Sequence, residues 1–146
     1  MPVLDTDTLT VIQRRSEPGY GRLRTRFRAL PAGQTVWVTV ISFEEQLRGW
    51  LEFVKRAKPR ELPGRYAKLW ELHRDFTTRI VLPFDDSAAD VYERLLRAKT
   101  RVASTDLKIA AVALARDDVL VSANLRDFQR VPGLRVEDST KPLPQA

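Results

Sequence analysis

Carboxylates recur in this 146-residue chain just after short apolar runs. Asp5 follows Val3-Leu4, Glu44 and Glu45 follow the Val36–Val40 run, and Asp127, preceded by the amide Asn124, follows Val119–Val121. Asp106 heads a stripe completed by Ile109, Ala110, Ala113 and Leu114, at the spacing of one helical face. If the apolar runs are parallel strands, all these side chains arrive at one edge of a sheet, outside the strands' carboxyl ends. Carboxylates gathered there repel one another and raise each other's pKa. A divalent cation removes that conflict, lowers the pKa of a bound water and polarises a phosphodiester. The chain has no cysteine and only His73 as imidazole, so thiolate metal sites are excluded and a zinc site of the usual nitrogen and sulfur ligands is not expected. The expected ion is oxygen-bound magnesium, manganese or calcium. The structural alternative for Asp106 is a first-turn acid that offsets the helix dipole by ~0.3–1 kcal/mol.

The elements that must position these groups alternate along the chain. Val3-Leu4 starts a strand ending at Asp5, and Thr6 or Asp7 caps a helix through Leu9, Val11 and Ile12. A second helix carries Tyr20, Leu23, Phe27 and Leu30 on one face, with Arg22, Arg24, Arg26 and Arg28 on its flanks as a solvated surface or a phosphate patch. Val36–Val40 is the second strand, and Ser42 starts a helix with Phe43, Leu47, Trp50, Leu51 and Val54 on one side. Ser42 and Glu45 also satisfy the S-x-x-E capping box, a purely structural use of that glutamate. The basic KRAKPRELPG stretch links this helix to another from about Arg65 to Thr77, which places His73 on a helix surface. The two helices form a projecting hairpin, a candidate dimer or partner surface. Ile80–Leu82 is a third strand, followed by a helix through Ala89, Val91, Tyr92, Leu95 and Leu96. Leu134–Val136 adds an edge strand after the Pro132-Gly133 turn. Strands alternating with helices imply an α/β sandwich around a mostly parallel sheet of four to five strands. Residues 1–137 form the domain, and the polar, proline-rich segment 138–146 is expected to be a flexible tail.

A hydrophobic fraction of 43% with 30% charged residues is that of a globular domain. The absence of cysteine points to a reducing compartment. No apolar run approaches membrane-spanning length, and MPVLDTDT lacks the basic start and apolar core of a signal peptide. A cytoplasmic protein is expected. The net charge of +6 and the basic pI of about 10.1 hint at a polyanionic partner. A metal-binding acidic pocket on a positive surface fits a nuclease.

Four segments resemble the PIN-domain ribonucleases, and among them the VapC-type toxins: VLDTDTL at 3–9, ISFEEQLRG at 41–49, TDLKIAAVAL at 105–114 and LVSANLRDFQRVPGL at 120–134. They stand in the family's order and span nearly the whole chain. The resemblance implies a PIN-like three-layer sandwich, Mg²⁺ or Mn²⁺ at an acidic cluster, and endonucleolytic cleavage of RNA leaving a 5′-phosphate and a 3′-hydroxyl. It also implies a homodimer and a VapB-like antitoxin. Asp5 matches the first metal-binding acid, Glu45 the second (four residues before Gly49) and Asp106 the third. The last motif supplies Asp127 as fourth acid, with Ser122 and Asn124 beside the metal. Many relatives carry aspartate where Asn124 stands, so either Asn124 or Asp127 completes the metal shell. Asp7 stands where many have asparagine, and it either orients Asp5 or a metal water or caps the helix. Arg48, Lys108, Arg126 and Arg130 lie near these motifs as candidate phosphate contacts.

Two other readings compete. VLDTDTL also satisfies the D-x-D-x-T signature of haloacid-dehalogenase-like phosphatases, with Asp5 as nucleophile, Asp7 as general acid and Thr39 as phosphate-binding hydroxyl. That family needs acidic metal ligands after a late strand, whereas Asp117 and Asp118 precede it here. The other is a non-catalytic nucleic-acid-binding PIN-like module, which would be expected to have lost some of the acids.

Overall fold

A computed structural model describes residues 1–142. Five parallel strands form one sheet in the order β3-β2-β1-β4-β5: β1 Pro2–Leu4, β2 Trp37–Thr39, β3 Ile80–Leu82, β4 Val119–Ser122 and β5 Val136–Asp138. Between β1 and β2 lie α1 (Thr6–Arg14) and α2 (Gly19–Arg28); between β2 and β3 lie α3 (Val40–Lys55) and α4 (Leu62–Thr77). Helices α5 (Asp86–Arg97) and α6 (Ser104–Ala115) carry the chain back across to β4, and the short α7 (Leu125–Phe128) leads to β5. The chain leaves β1 toward β2 and leaves β4 toward β5, so the carboxyl ends of β1 and β4 flank the point where connections diverge. Crevices in open α/β sheets form at such points.

Successive strand residues face opposite sides of the sheet, and each side has its own core. Val3 and Leu120 pack with Leu95 of α5, Ile109 and Val112 of α6, and Phe128. Leu4, Val38 and Val121 pack with Leu9 of α1, Leu23 of α2, and Leu72 and Phe76 of α4. The result is the expected α/β sandwich of helices on both faces. Helix α6 is more deeply set than a single apolar stripe implies: Leu107 and Ile109–Ala113 are all buried. Its alanines let α5 and the sheet close on it from different sides. Among the described residues, no helix is long and apolar enough to cross a membrane.

Several boundaries differ from the pattern-based reading. The second helix-bearing crossover starts earlier, at Val40, because Thr39 is its N-cap and accepts the Ser42 N–H at 3.2 Å. Ser42 therefore sits inside the first turn, and the Ser42–Glu45 capping box does not form. The basic link is shorter than expected. Pro59–Glu61 form a 3-10 turn, and α4 begins at Leu62 with Pro63 in its first turn, where a missing N–H has no helical partner to lose. The edge strand lies two residues later than Leu134–Val136, after Gly133 has turned the chain with φ +78°. The boundary expected at residue 137 thus falls inside β5, and Ser139 is buried beyond it. Arg26, read as a flank residue, is also buried. The rest of the expected flexible tail, residues 143–146, lies outside the described residues.

Candidate active site

Asp5 leaves β1 and is the N-cap of α1, accepting the Thr8 N–H at 2.9 Å on Oδ1. Its other oxygen, Oδ2, accepts the Ser122 hydroxyl from the end of β4 at 2.5 Å. The carboxylate is 3% exposed. Burial raises its pKa, against the opposing hydrogen bonds from Ser122 and Thr8. Ser122 Oγ in turn accepts the Asn124 N–H at 2.9 Å, and the Asn124 side-chain amide donates to Asp127 Oδ2 at 3.0 Å. The two residues left open as the fourth metal-shell position are thus hydrogen-bonded to each other.

Glu45 comes from the second turn of α3. Thr6 donates its hydroxyl to Glu45 Oε1 at 2.5 Å, and Ser42 Oγ lies 3.0 Å from the same Thr6 oxygen. With the Thr6 proton committed to Glu45, Ser42 is the donor, and a hydroxyl chain runs Ser42 to Thr6 to Glu45. Glu45 is four residues after buried Ile41 and three after buried Ser42, so it shares their face. The Phe43–Leu47–Trp50 stripe packs on the other core, which is why it does not indicate the inward glutamate. Glu44 points to solvent and pairs with Arg48 at 3.0 Å.

Asp106 sits in the first turn of α6 but does not cap it: the N-cap is Ala103, with no side-chain cap bond. Its carboxyl is pushed up to about 6, first by burial and then by the charges of Asp5, Glu45, Asp7 and Asp127. Acids from four separate parts of the chain thus act on one another across the β1–β4 edge. Asp7 is exposed and contributes charge only; Asp5, not Asp7, caps α1. Among the described residues no three or more His, Cys, Asp or Glu side chains converge to clasp a metal ion together. The donor set is nevertheless all oxygen, and magnesium commonly uses one or two carboxylates while keeping several waters.

The candidate phosphate contacts scatter. Arg126 is exposed, Arg130 lies 3.8 Å from Asp127, and Lys108 sits over the Tyr92 ring. His73 is exposed and stacked on Trp70. Thr39 is fully buried as a helix cap, out of reach as a phosphate-binding hydroxyl. Asp118 pairs with the N-terminal amine at 2.9 Å and with Arg116 at 3.1 Å, at the opposite end of β4 from Asp5. Among the described residues Thr39 and Asp118 therefore do not take up the phosphatase arrangement. A groove of about 700 Å³ lies between α1, α3 and α4, lined by Gln13, Gln46, Trp50, Phe53 and Asp75 among others, and none of Asp5, Glu45, Asp106 and Asp127 lines it. Thr6 was missed as a functional position, because its partners Ser42 and Glu45 meet it only in the folded chain.

The PIN-domain family description matches residues 3–134, a span that includes every one of these acids. The chain belongs to the PIN-domain family. This PIN domain is 41% identical over 68 residues to the tRNA(fMet)-specific endonuclease VapC of Salmonella typhimurium, covering 43% of this chain and 52% of the relative. The chain thus spans about half the length of that relative. It is 34% identical over 93 residues to the protein of the same name from Shigella flexneri, covering 60% of this chain and 68% of that one. Among solved structures, the DNA-bound VapBC from Salmonella typhimurium superposes with a TM-score of 0.67 at 28% identity, covering 94% of this chain and 97% of the other. VapBC-1 from nontypeable Haemophilus influenzae gives 0.70 at 23% identity, over 96% and 98% of the two chains, and shares the fold.

Proposed function

We propose that this PIN domain is a Mg²⁺- or Mn²⁺-dependent endoribonuclease and the toxin of a toxin–antitoxin pair. The observation that carries the reading is the state of Asp106, whose carboxyl is pushed up to about 6 by burial and by the carboxylates around it. Such a cluster is unfavourable on its own and favourable around a divalent cation. Asp5, Glu45, Asp106 and Asp127 would hold the ion through carboxylate oxygens and ordered waters. When bound, it would supply a lowered pKa for an attacking water and charge stabilisation at the phosphodiester.

The chain's own residues do the positioning. Ser122 and the Thr8 N–H fix the two Asp5 oxygens, Thr6 and Ser42 fix Glu45, and Asn124 fixes Asp127. Among the described residues none donates such a bond to Asp106, which leaves it as the acid whose charge answers most directly to what is bound. The basic surface, with a net charge of +6, attracts the RNA backbone and makes binding salt-dependent. The likeness to the DNA-bound VapBC from Salmonella typhimurium supports an antitoxin partner, and homodimerisation belongs to the same reading.

The test is cleavage of a mixed RNA pool by the purified protein. Cleavage should stop in excess chelator and return with Mg²⁺ or Mn²⁺. Full activity in chelator would remove the metal requirement, and turnover of a simple phosphate monoester without RNA cleavage would remove the ribonuclease reading.

A further inference from the structure

Arg26, on α2, has a role that the acid site alone does not reveal. Its side chain is buried, at 4% residue exposure, and a buried arginine is expected to be fully paired. The guanidinium donates to the Glu137 carboxylate, to the Asp138 carbonyl at 3.0 Å and to the Lys141 carbonyl at 3.2 Å. All these acceptors lie on the segment that follows β4 and ends the described chain. The segment turns at Asp138, whose Oδ1 accepts the Thr140 N–H at 2.9 Å and the Thr140 hydroxyl at 2.6 Å. The turn aims the N–H of buried Ser139 at the Ser122 carbonyl, 2.9 Å away. Ser122 is the residue whose hydroxyl meets Asp5 and whose Oγ accepts from Asn124, the holder of Asp127.

We propose that Arg26 is a positioning residue for the acid site: by clamping residues 137–141 it fixes Ser122, and through Ser122 it fixes Asp5 and Asp127. The inference rests on the ribonuclease reading for its consequence in catalysis. The physical need is plain. β5 is a three-residue edge strand of half-buried side chains, and so short a strand holds its register weakly by its own pairing. The guanidinium fork engages a carboxylate and two backbone carbonyls together, which a point charge on a flexible stem cannot reproduce. Ser122 has a single hydroxyl proton, and a small backbone shift turns it away from Asp5 while moving Asn124 with it.

The experiment compares wild type, Arg26→Met, Arg26→Lys, Ser139→Pro and the Arg26→Met/Ser139→Pro double variant, each as the full chain at a temperature where it is folded. Ser139→Pro removes the N–H that meets the Ser122 carbonyl while leaving Arg26 in place. Arg26→Met and Ser139→Pro should each lower kcat for RNA by about 10-fold or more, the usual cost of losing a group that orients metal-site ligands, with KM changed less than about twofold. The double variant should be no worse than the poorer single one, because both break the same path. Arg26→Lys, which preserves the charge, should fold well and recover only part of kcat. An unchanged kcat in the folded Arg26 variants, or fully additive losses, would overturn the proposal.

A second readout needs no activity. Hydrogen exchange of the Asn124 amide, whose partner is Ser122 Oγ, should quicken in Arg26→Lys and Ser139→Pro, while the Ala88 amide, capped by Asp85, stays unchanged. Equal exchange at Asn124 in all proteins would show that the clamp does not reach Ser122. If the wild type fails to cleave RNA, the ribonuclease reading falls, and the exchange measurement still decides the clamp.

Discussion

Replacing Asp106 by asparagine should make the metal-free protein more stable at neutral pH, while abolishing RNA cleavage. The carboxyl is raised from 3.8 to about 6, and a shift of that size corresponds to about 3 kcal/mol against the charged form if carried over in full. Asp106 is only partly buried, so solvent screening reduces this to about 1–2 kcal/mol. The helix dipole opposes it, favouring a first-turn acid by ~0.3–1 kcal/mol. The net gain for Asp106→Asn is then about 1 kcal/mol, a rise in Tm of roughly 2–4 °C for a domain of this size. The sign also sets the pH window. Below the unfolded pKa of 3.8 the residue is protonated in both states and costs nothing. From there to about 6 the folded state holds the proton more tightly, so wild-type stability falls as pH rises, and above that the deficit is constant. Thermal melts of both proteins in chelator should therefore converge near pH 4 and separate by pH 7. Asp5, raised in the same direction by its burial, contributes a slope of the same sign to both proteins. Added Mg²⁺ should raise the wild-type Tm more than the mutant's by mass action. A mutant that is equally destabilised at pH 4 and pH 7, or that still cuts RNA, would refute the reasoning.

Other perturbations separate support from chemistry. Thr6→Val removes the hydroxyl between Ser42 and Glu45 and should cost about 1 kcal/mol in chemical denaturation, with cleavage reduced about 10-fold or more. Ser122→Ala takes a hydrogen bond from Asp5, whose pKa burial already raises. The acidic limb of the cleavage pH profile should move to higher pH, and an unmoved limb would mean that Asp5 does not govern it. Leu120→Ala, at a fully buried position facing α6, should cost about 2–5 kcal/mol in urea unfolding. RNA affinity of the inactive Asp106→Asn protein should fall at least about tenfold between low and physiological salt, whereas a flat response would assign the basic surface to a protein partner.

The strands and helices were legible because burial imposes a period. Val3-Leu4, Ile80–Leu82 and Val119–Val121 read as strands, the last of them as a buried parallel one, and Asp5, Asp106 and Asp127 stood at the strand and helix ends where such sheets gather function. That a metal, if held, would be held by oxygen was equally legible, since a chain without cysteine and with one histidine leaves few other ligands. The resemblance assigned Glu45 by its place four residues before Gly49, but the physical reason for Glu45 over Glu44 needed the fold. The inward direction of α3 near the site is set by Ile41 and Ser42 and by the start of the helix at Thr39, whereas the larger Phe43–Leu47–Trp50 stripe advertises a different core. Ser122 and Asn124 were placed at the site by the resemblance, but which acid each one holds, and the supporting roles of Thr6, Ser42 and Arg26, were beyond reach for the same reason. Thr6 and Ser42 are 36 residues apart, Asp5 and Ser122 are 117 apart, and Arg26 lies more than 100 residues from its acceptors. Local spacing reports which face of an element is apolar. Which polar groups meet across the sheet is set by strand order, with β1 and β4 as neighbours, and that order is a property of the whole packed chain.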